Sequence, residues 1–178
     1  EIPIYYAQKA PYNYGNFNGV EVREAQRRTL DLPNTNMVVT SDIGDTTDIH
    51  PQDKLSVGQR FADIALTEHY QVENKTISGP LYKNIEINKN KLAIHFHYAE
   101  GLNTNEKVLT QFEVSGDDGI FYPAKAVIKE ETIQVSSKKV KTPIAVRYGW
   151  KNKLVANLFN NVGLPASSFN SLKQFTLK

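Results

Sequence analysis

The spacing of hydrophobic residues changes partway along the chain, and this change restricts the fold more than any other feature. Up to about residue 72, apolar runs of strand type alternate with stretches in which apolar residues recur at helical spacing. From about residue 76 onward, the apolar residues recur at every second position instead. We therefore predict an α/β domain over residues 1–73, followed by an all-β domain over residues 74–178.

The first part of the chain is predicted to supply two strands and two helices. The runs of strand type are "IPIYYAQ" and "MVVTSDI", and the helical patterns are "VEVREAQRRTLDL" and "LSVGQRFADIALTEHY". In the second helix a mostly apolar stripe runs from Val57 to Glu68, and either Asp53 or Ser56 can cap its first turn. This order of strand and helix is typical of parallel strands that are joined by crossover helices.

The second part of the chain is predicted to contain only short strands, separated by turn sequences such as "NKN" and "GDDG". The strand-like runs are "KNIEIN", "KLAIHFHYA", "LTQFEVSG", "IFYPAKAVI", "TIQVSS" and "PIAVRYGW". Several strands at short spacing, with almost no helical pattern between them, indicate an antiparallel β-sandwich. We place the boundary between the two domains within "ENKTISGP", residues 73–80.

The composition is that of an ordinary globular protein, and it excludes several functional classes. The 21 basic and 19 acidic side chains are spread along the chain, so the net charge of +2 predicts no nucleic-acid-binding surface. The absence of cysteine removes thiolate metal sites and a cysteine nucleophile. No stretch approaches the roughly 20 apolar residues that span a bilayer. The chain starts with Glu1 rather than methionine, so we expect a portion of a longer or processed polypeptide.

The loop "TTDIHPQDK" contains the strongest candidate for chemistry, His50. It follows a predicted buried strand at its carboxyl end, which is where ligands bind in open parallel sheets. Pro51 disfavours the helical conformation at His50 and so keeps the imidazole on an extended loop. Asp42, Asp45 and Asp48 precede it, and a carboxylate bonded to one ring nitrogen would leave the other free to act as a base. On this pattern alone, a solvated acidic loop that contains a histidine is the simpler interpretation.

Other candidate sites have weaker patterns. No G-x-S-x-G motif is present, and Ser41, the only serine near His50, lacks a glycine elbow. His95 and His97 share one face of a predicted strand, but no third ligand follows at a diagnostic spacing, so we predict no metal site. The run "RYGW" that ends at Trp150 could form a sugar-stacking platform, although a packing cluster at a strand end is the simpler interpretation.

Six motifs that together span nearly the whole chain resemble one family. They are "YYAQKAPYNYG", "VREAQRRTL", "MVVTSDIGDTTDIHPQDKLSVGQRFADIAL", "SGPLY", "PIAVRYGW" and "NLFNNVGLPASSF". The chain is similar to the C-terminal half of the sialate O-acetylesterases, which are carbohydrate esterases of the SGNH-hydrolase superfamily. The resemblance implies that residues 1–73 are the C-terminal part of a parallel, flavodoxin-like α/β domain with three layers. It also implies that residues 74–178 are the antiparallel β-sandwich that follows this domain.

The same resemblance implies a catalytic role for His50. In the family, the histidine of the "IHP" motif is the base that is paired with a serine, and this role carries over to His50. The family's serine lies in an earlier glycine-containing block, which this chain lacks, so we expect the N-terminal half of the same enzyme to carry the nucleophile. Many SGNH enzymes place the triad aspartate where this chain has Thr47. We therefore predict Asp48 as the partner of His50, with Asp45 second and a serine–histidine dyad as the remaining alternative.

The activity that the resemblance implies is serine-dependent hydrolysis of acetyl esters on sugars. The expected substrate is a 9-O-acetylated sialic acid or another O-acetylated glycan, and the expected partner is the N-terminal half of the enzyme. The resemblance implies no metal and no cofactor, and it implies a periplasmic or extracellular location. A non-catalytic β-sandwich module that binds glycan or a partner, with an α/β remnant attached, remains the alternative.

Overall fold

The computed structural model describes residues 2–15, 18–72 and 74–172. The first part of the chain contains strand β1 (Ile4–Ala7), helix α1 (Asn18–Thr29), strand β2 (Thr35–Val38), helix α2 (Lys54–Ile64) and a π-helical turn (Ala65–His69). The second part contains β3 (Leu81–Asn88), β4 (Lys91–His97), β5 (Phe112–Ser115), β6 (Tyr122–Pro123), β7 (Lys125–Lys129), β8 (Thr132–Ser136), β9 (Ala145–Tyr148) and β10 (Phe169–Asn170). Within these ranges, no helix has both the length and the apolar character that a membrane crossing requires.

Strands β1 and β2 form a two-stranded parallel sheet, as the order of strand and helix predicts. Strand β2 begins two residues before the predicted run "MVVTSDI". It ends at Val38, before the predicted run does, because the backbone turns after Val39. The Thr40 carbonyl accepts hydrogen bonds from the amides of Ile43 and Gly44, at 3.3 and 2.9 Å. The Thr40 hydroxyl also donates to the Gln8 carbonyl at 2.9 Å. Both strands therefore end at the same edge of the sheet, where two loops meet.

Helix α2 begins where its capping residues predict. The Asp53 carboxylate accepts from the Ser56 amide at 2.9 Å and from its hydroxyl at 2.6 Å, so Asp53 is the cap. Ile64 is buried against Val38 and Ile77 in a small core, with the partly buried Phe61 beside it. The helical pattern beyond Ile64 ends in a π-helical turn rather than in further α-helix.

The second part of the chain forms two four-stranded antiparallel sheets, with strand orders β3–β4–β8–β7 and β10–β9–β5–β6. Their inward side chains share one large core, because burial alternates along β4 and β8 as the period of two predicts. The core residues of the strands include Leu92, Ile94, Phe96, Ile133 and Val135 from one sheet and Phe112, Val114, Val146, Tyr148 and Phe169 from the other. The mixture of parallel and antiparallel sheets with few helices is therefore confirmed.

The structure corrects the sequence reading of these strands in two places. The single run "IFYPAKAVI" is split, because β6 pairs with β5 in one sheet whereas β7 pairs with β8 in the other. Pro123 has no amide N–H to continue the ladder, and the chain crosses between the sheets directly after it. Strand β10 has only two residues and no alternating pattern around it, so the sequence analysis missed it.

The two parts of the chain are joined by buried polar contacts. Gln8, at the carboxyl end of β1, donates from its side-chain amide to the Ser167 hydroxyl at 2.7 Å. Arg23 on α1 is 1% exposed, and its guanidinium donates to the carbonyls of Lys151 and Asn152 and to the Ser168 hydroxyl. Burial lowers the pKa of Arg23 to about 10, so the side chain is still a cation at neutral pH. Within the described ranges Arg23 has no carboxylate partner.

Replacement of Arg23 by methionine is expected to lower the free energy of unfolding by about 2–4 kcal/mol, because the buried Ser168 hydroxyl and the carbonyls of Lys151 and Asn152 lose their donor. Urea denaturation followed by circular dichroism measures this change. The control is Lys107→Met at an exposed site, which is expected to stay within about 0.5 kcal/mol of the unsubstituted chain. Equal stability of the two variants would show that Arg23 does not hold the two parts together.

Candidate active site

The candidate site lies where the carboxyl ends of β1 and β2 meet. Ala7 is opposite Val38 at the end of the parallel ladder, so the loops that follow the two strands lie side by side. Gly44 packs against the other loop so closely that an added Cβ would lie 2.8 Å from the Pro11 ring. The segment that carries His50 follows Gly44 and leads into α2. The predicted position of His50, at the carboxyl edge of the parallel sheet, is therefore the observed one.

The His50 loop is shaped by hydrogen bonds from its own aspartates to its own backbone. The Asp45 carboxylate accepts from the amide and hydroxyl of Thr47, at 2.7 and 2.6 Å, and from the Asp48 amide at 3.3 Å. The Asp48 carboxylate accepts in turn from the His50 amide at 2.8 Å. Aspartate side chains stabilise tight turns in this way. The acidic residues therefore give this exposed loop a defined conformation.

The structure brings His50 together with Asp48. The imidazole Nδ1 lies 3.4 Å from Asp48 Oδ1, which is a loose contact between side chains that are 83% and 50% exposed. No described residue bonds the other ring nitrogen, Nε2. The imidazole is thus turned so that a carboxylate is near one nitrogen while the second faces away from that partner.

Asp45 and Asp42, the other carboxylates before His50, have different partners. Hydrogen bonds lower the pKa of Asp45, first from the Thr47 hydroxyl and then from the amides of Thr47 and Asp48. Asp42 forms a bidentate ion pair with Arg60, with nitrogen–oxygen distances of 2.9 and 2.5 Å. Of the three aspartates, only Asp48 is found as a partner of the imidazole within the described residues.

Arg60 is a structural anchor that the sequence analysis missed. Besides the Asp42 carboxylate, its guanidinium donates to the Val39 carbonyl at 2.7 Å. Both acceptors follow β2, so Arg60 ties helix α2 to the start of the His50 loop. The His50 loop is therefore fixed at its start, where Arg60 binds it, and at its end, where it joins α2. The sequence signal for this contact is weak, because an arginine on a helix flank is most often solvated.

Ser41 does not lie in the open beside the imidazole. It is 7% exposed, and its hydroxyl donates to the Ala166 carbonyl at 3.4 Å. Because the hydroxyl is buried against the second part of the chain, the structure does not present Ser41 as a nucleophile for His50.

A mostly apolar cavity of about 310 Å³ lies next to the His50 loop. It is formed by the ends of β1 and β2 together with the start of α2. The residues that line it are Ala7, Gln8, Lys9, Ala10, Thr40, Ile43, Pro51, Lys54 and Val57. Pro51, which directly follows His50, is one of the lining residues, whereas His50 itself is not.

The remaining candidates from the sequence lie in the second part of the chain. His95 Nε2 is 3.3 Å from Glu86 Oε1, and His97 on the same face is exposed. Within the described ranges, no group of three or more potential metal-ligating side chains is found. Arg147 lies 4.2 Å from the centre of the Phe121 ring and pairs with Glu113 at 2.7 Å, so it belongs to a packing cluster at the end of β9.

Known proteins are similar to this chain in sequence and in fold. The chain is 30% identical to the sialate O-acetylesterase of Rattus norvegicus over 128 residues, which are 67% of this chain and 24% of that protein. The fold matches the crystal structure of a carbohydrate acetylesterase from Xanthomonas citri with a TM-score of 0.90 and 34% identity, covering 96% of this chain and 41% of that one. The chain is similar to part of a sialate O-acetylesterase and to part of a carbohydrate acetylesterase. No protein-family model matches it.

The similarity to acetylesterases that the six motifs predict is therefore confirmed. The chain spans about a quarter of the length of the rat sialate O-acetylesterase and about two fifths of the bacterial carbohydrate acetylesterase. The catalytic roles of His50 and Asp48, and the domain boundary between residues 73 and 74, stay predictions.

The Asp45 carboxyl is expected to titrate below its ordinary pKa of 3.8, because its hydrogen bonds favour the charged form. A carboxylate with a lowered pKa supports the loop above that ordinary value and loses its effect as the pH falls through the lowered one. Carbon-detected NMR of the Asp45 carboxyl measures the midpoint. Thr47→Val, which removes the donor with the largest effect, is expected to move the midpoint back toward 3.8. A midpoint of 3.8 or above in the unsubstituted chain would contradict the assignment.

Proposed function

We propose that the chain is part of a serine-dependent carbohydrate O-acetylesterase of the sialate 9-O-acetylesterase type, in which it supplies the catalytic base His50. One observation carries the proposal. The imidazole, with Asp48 at Nδ1, stands at the carboxyl edge of a parallel sheet in a chain whose relatives are named acetylesterases. The serine nucleophile is supplied by the N-terminal half of the same enzyme.

The proposal extends to the architecture. Residues 1–73 are the C-terminal part of an SGNH-type, flavodoxin-like α/β domain, and residues 74–178 are an antiparallel β-sandwich. Support comes from the parallel pairing of β1 with β2 and from the core that the two antiparallel sheets share. The small size of the core around Ile64 also supports a larger parallel sheet, since two strands alone bury little apolar surface.

In the proposed mechanism, His50 moves one proton at each step. Its Nε2 takes the proton of the serine hydroxyl as the serine oxygen attacks the acetyl carbonyl, and it then gives this proton to the departing sugar hydroxyl. A water molecule next loses a proton to His50 as it attacks the acetyl-enzyme, and acetate leaves as the serine regains its hydrogen. Asp48 near Nδ1 favours the tautomer with the proton on that nitrogen and stabilises the imidazolium.

The apolar cavity beside Pro51 fits a small acyl group. In the proposed enzyme it would receive the methyl group of the acetyl ester, with Ala10, Ile43 and Pro51 excluding water from the acyl-enzyme. The sugar is a sialic acid or another O-acetylated glycan, because the same chemistry serves both. We propose a periplasmic or extracellular location, where such glycans occur.

The alternative is a non-catalytic module in which the antiparallel sheets bind glycan or another protein. The 83% exposure of the His50 side chain and its loose contact with Asp48 are compatible with this alternative when no companion half is present. The activity of the two halves together decides between the two functions.

His50→Ala in the complete enzyme is expected to lower kcat by roughly 10³-fold or more, because the serine loses its base. Hydrolysis of an acetylated sugar measures the loss, and circular dichroism checks that the fold is retained. His69→Ala is the matched control, since His69 lies on the exposed π-helical turn. An active His50→Ala enzyme would sink the assignment.

Asp48→Asn is expected to lower kcat by roughly 10- to 10⁴-fold, because the imidazole loses the carboxylate that orients it. The same assay on Asp45→Asn identifies the partner. If Asp45→Asn is severe and Asp48→Asn is silent, the second-ranked carboxylate is the partner, and if both are silent, the site is a serine–histidine dyad.

The chain alone is expected to show no esterase activity, because an imidazole without its serine and oxyanion hole has no acyl-enzyme route. Addition of the N-terminal half is expected to restore hydrolysis of nitrophenyl acetate.

Light scattering on the chain alone is expected to show self-association, since Ile2 and Ile4 near the strand edge are 87% and 61% exposed. A fully active monomer would overturn this view, and Ser41 would then be the first residue to substitute.

A further inference from the structure

A groove of about 730 Å³ lies in the second part of the chain, away from the cavity beside His50. It runs between the end of β9, strand β5 and the crossing from β6 to β7. The residues that line it are Val108, Leu109, Thr110, Gln111, Phe112, Glu113, Pro123, Ala124, Lys125, Ala126, Arg147, Gly149, Trp150 and Lys151. Its volume is within the range of ordinary small-molecule sites, and its lining is apolar with a few polar groups. We call it the Trp150 groove.

Trp150 is a partly exposed aromatic residue whose polar atom is unused. It is the only tryptophan of the chain. Among the described residues, its ring has no aromatic or cationic neighbour and its indole N–H has no acceptor. A tryptophan placed in this way offers an apolar face and a hydrogen-bond donor to a ligand.

The backbone on either side of the groove is held in unusual conformations. Gly149 has a φ of +58°, and a Cβ at this position would lie 2.8 Å from the Leu154 side chain, so glycine is favoured before Trp150. The Gly149 amide donates to the Gln111 carbonyl at 3.0 Å, and Gln111 itself has a φ of 69°. A non-glycine residue in this region of φ, such as Gln111, carries a conformational cost, and such residues cluster at functional sites.

A fixed ion pair supplies further polar groups to the groove. Arg147 Nε donates to one oxygen of Glu113 at 2.7 Å, and the guanidinium is stacked on the Phe121 ring. In the part of the chain that the structure describes, the two terminal nitrogens of Arg147 have no acceptor and the second oxygen of Glu113 has no donor. The groove therefore presents donors and an acceptor whose positions are already set.

One end of the groove is connected to the first part of the chain. Lys151 and Asn152, which follow Trp150, are bonded through their carbonyls to Arg23. The Asn152 carbonyl also accepts from the Tyr12 amide at 3.3 Å, in the loop after β1. That loop packs against Gly44, so a series of contacts links one end of the groove to the loop that carries His50.

We propose that the Trp150 groove is a carbohydrate subsite, in which a pyranose ring stacks on Trp150 and its hydroxyls bond the indole N–H, Arg147 and Glu113. A pyranose combines an apolar ring face with hydroxyl donors and acceptors, and the groove offers the complement of both. An apolar peptide would instead cover the ion pair without bonding its free atoms, which is costly. The inference rests on the proposed function in expecting a glycan, and it adds a place where the part of the glycan that does not react is held.

Tryptophan fluorescence of the full chain tests the proposal, because Trp150 is the only tryptophan. The probes are 3′-sialyllactose and xylotetraose, neither of which carries an ester, so binding is measured without any reaction. A saturable change in fluorescence with either sugar is expected, and the better of the two identifies the glycan as acidic or neutral. Sorbitol at the same concentration is the control for solvent effects.

Variants locate the binding. Trp150→Ala is expected to weaken the affinity of the better sugar about 10-fold or more by calorimetry. Glu113→Gln keeps the tryptophan signal and is expected to weaken binding by roughly 3-fold or more. Tyr70→Ala, at a 65% exposed aromatic outside the groove, is the matched control and is expected to change nothing.

Failure of this subsite is distinguishable from failure of the proposed function. Sugar binding that Trp150→Ala weakens supports the subsite even if the complete enzyme lacks esterase activity. If neither sugar binds, or if Trp150→Ala binds as well as the unsubstituted chain, the inference is wrong. An active complete enzyme with no binding in the groove would overturn the subsite alone.

Discussion

The contact on which the rest of the structure depends is the buried guanidinium of Arg23. It joins helix α1 to the backbone carbonyls of Lys151 and Asn152, in the segment that follows β9. Because these acceptors belong to the backbone, the guanidinium fixes the course of the main chain at Lys151 and Asn152. It also fixes the distance of this segment from α1. The parallel sheet, the end of β9 and the border of the Trp150 groove are thereby held in one arrangement. Burial of a cation is costly, and the hydrogen bonds offset that cost.

Both local and long-range contacts shape the His50 loop. The turns within it come from Asp45 and Asp48, which bond to amides a few residues away. The positions of its ends come from packing, because Arg60 ties α2 to Asp42 and the Val39 carbonyl. An exposed imidazole is therefore presented at the carboxyl edge of the sheet on a loop of defined shape, which is a suitable place for a base that acts on a group supplied from outside the described residues.

The two parts of the chain differ in how much apolar surface they bury. The antiparallel sheets share a continuous core, whereas the parallel pair has a small core around Ile64 and leaves Leu55 71% exposed. This asymmetry agrees with relatives that are longer than the chain. The antiparallel part, in contrast, has a groove that is lined by Trp150, Arg147 and Glu113.

The sequence by itself determined the parallel pair, the capped helix α2 and the strands with a period of two, because these follow from local hydrophobic spacing and from capping residues such as Asp53. It also determined the position of His50 after a strand and the similarity to acetylesterases. The resemblance ranked Asp48 ahead of Asp45 as the partner of His50, but only the tertiary structure shows Asp48 near the imidazole and Asp42 paired with Arg60 instead. The tertiary structure likewise decided the split at Pro123 and the burial of Arg23, because such contacts join residues far apart in sequence and leave no periodic trace in it.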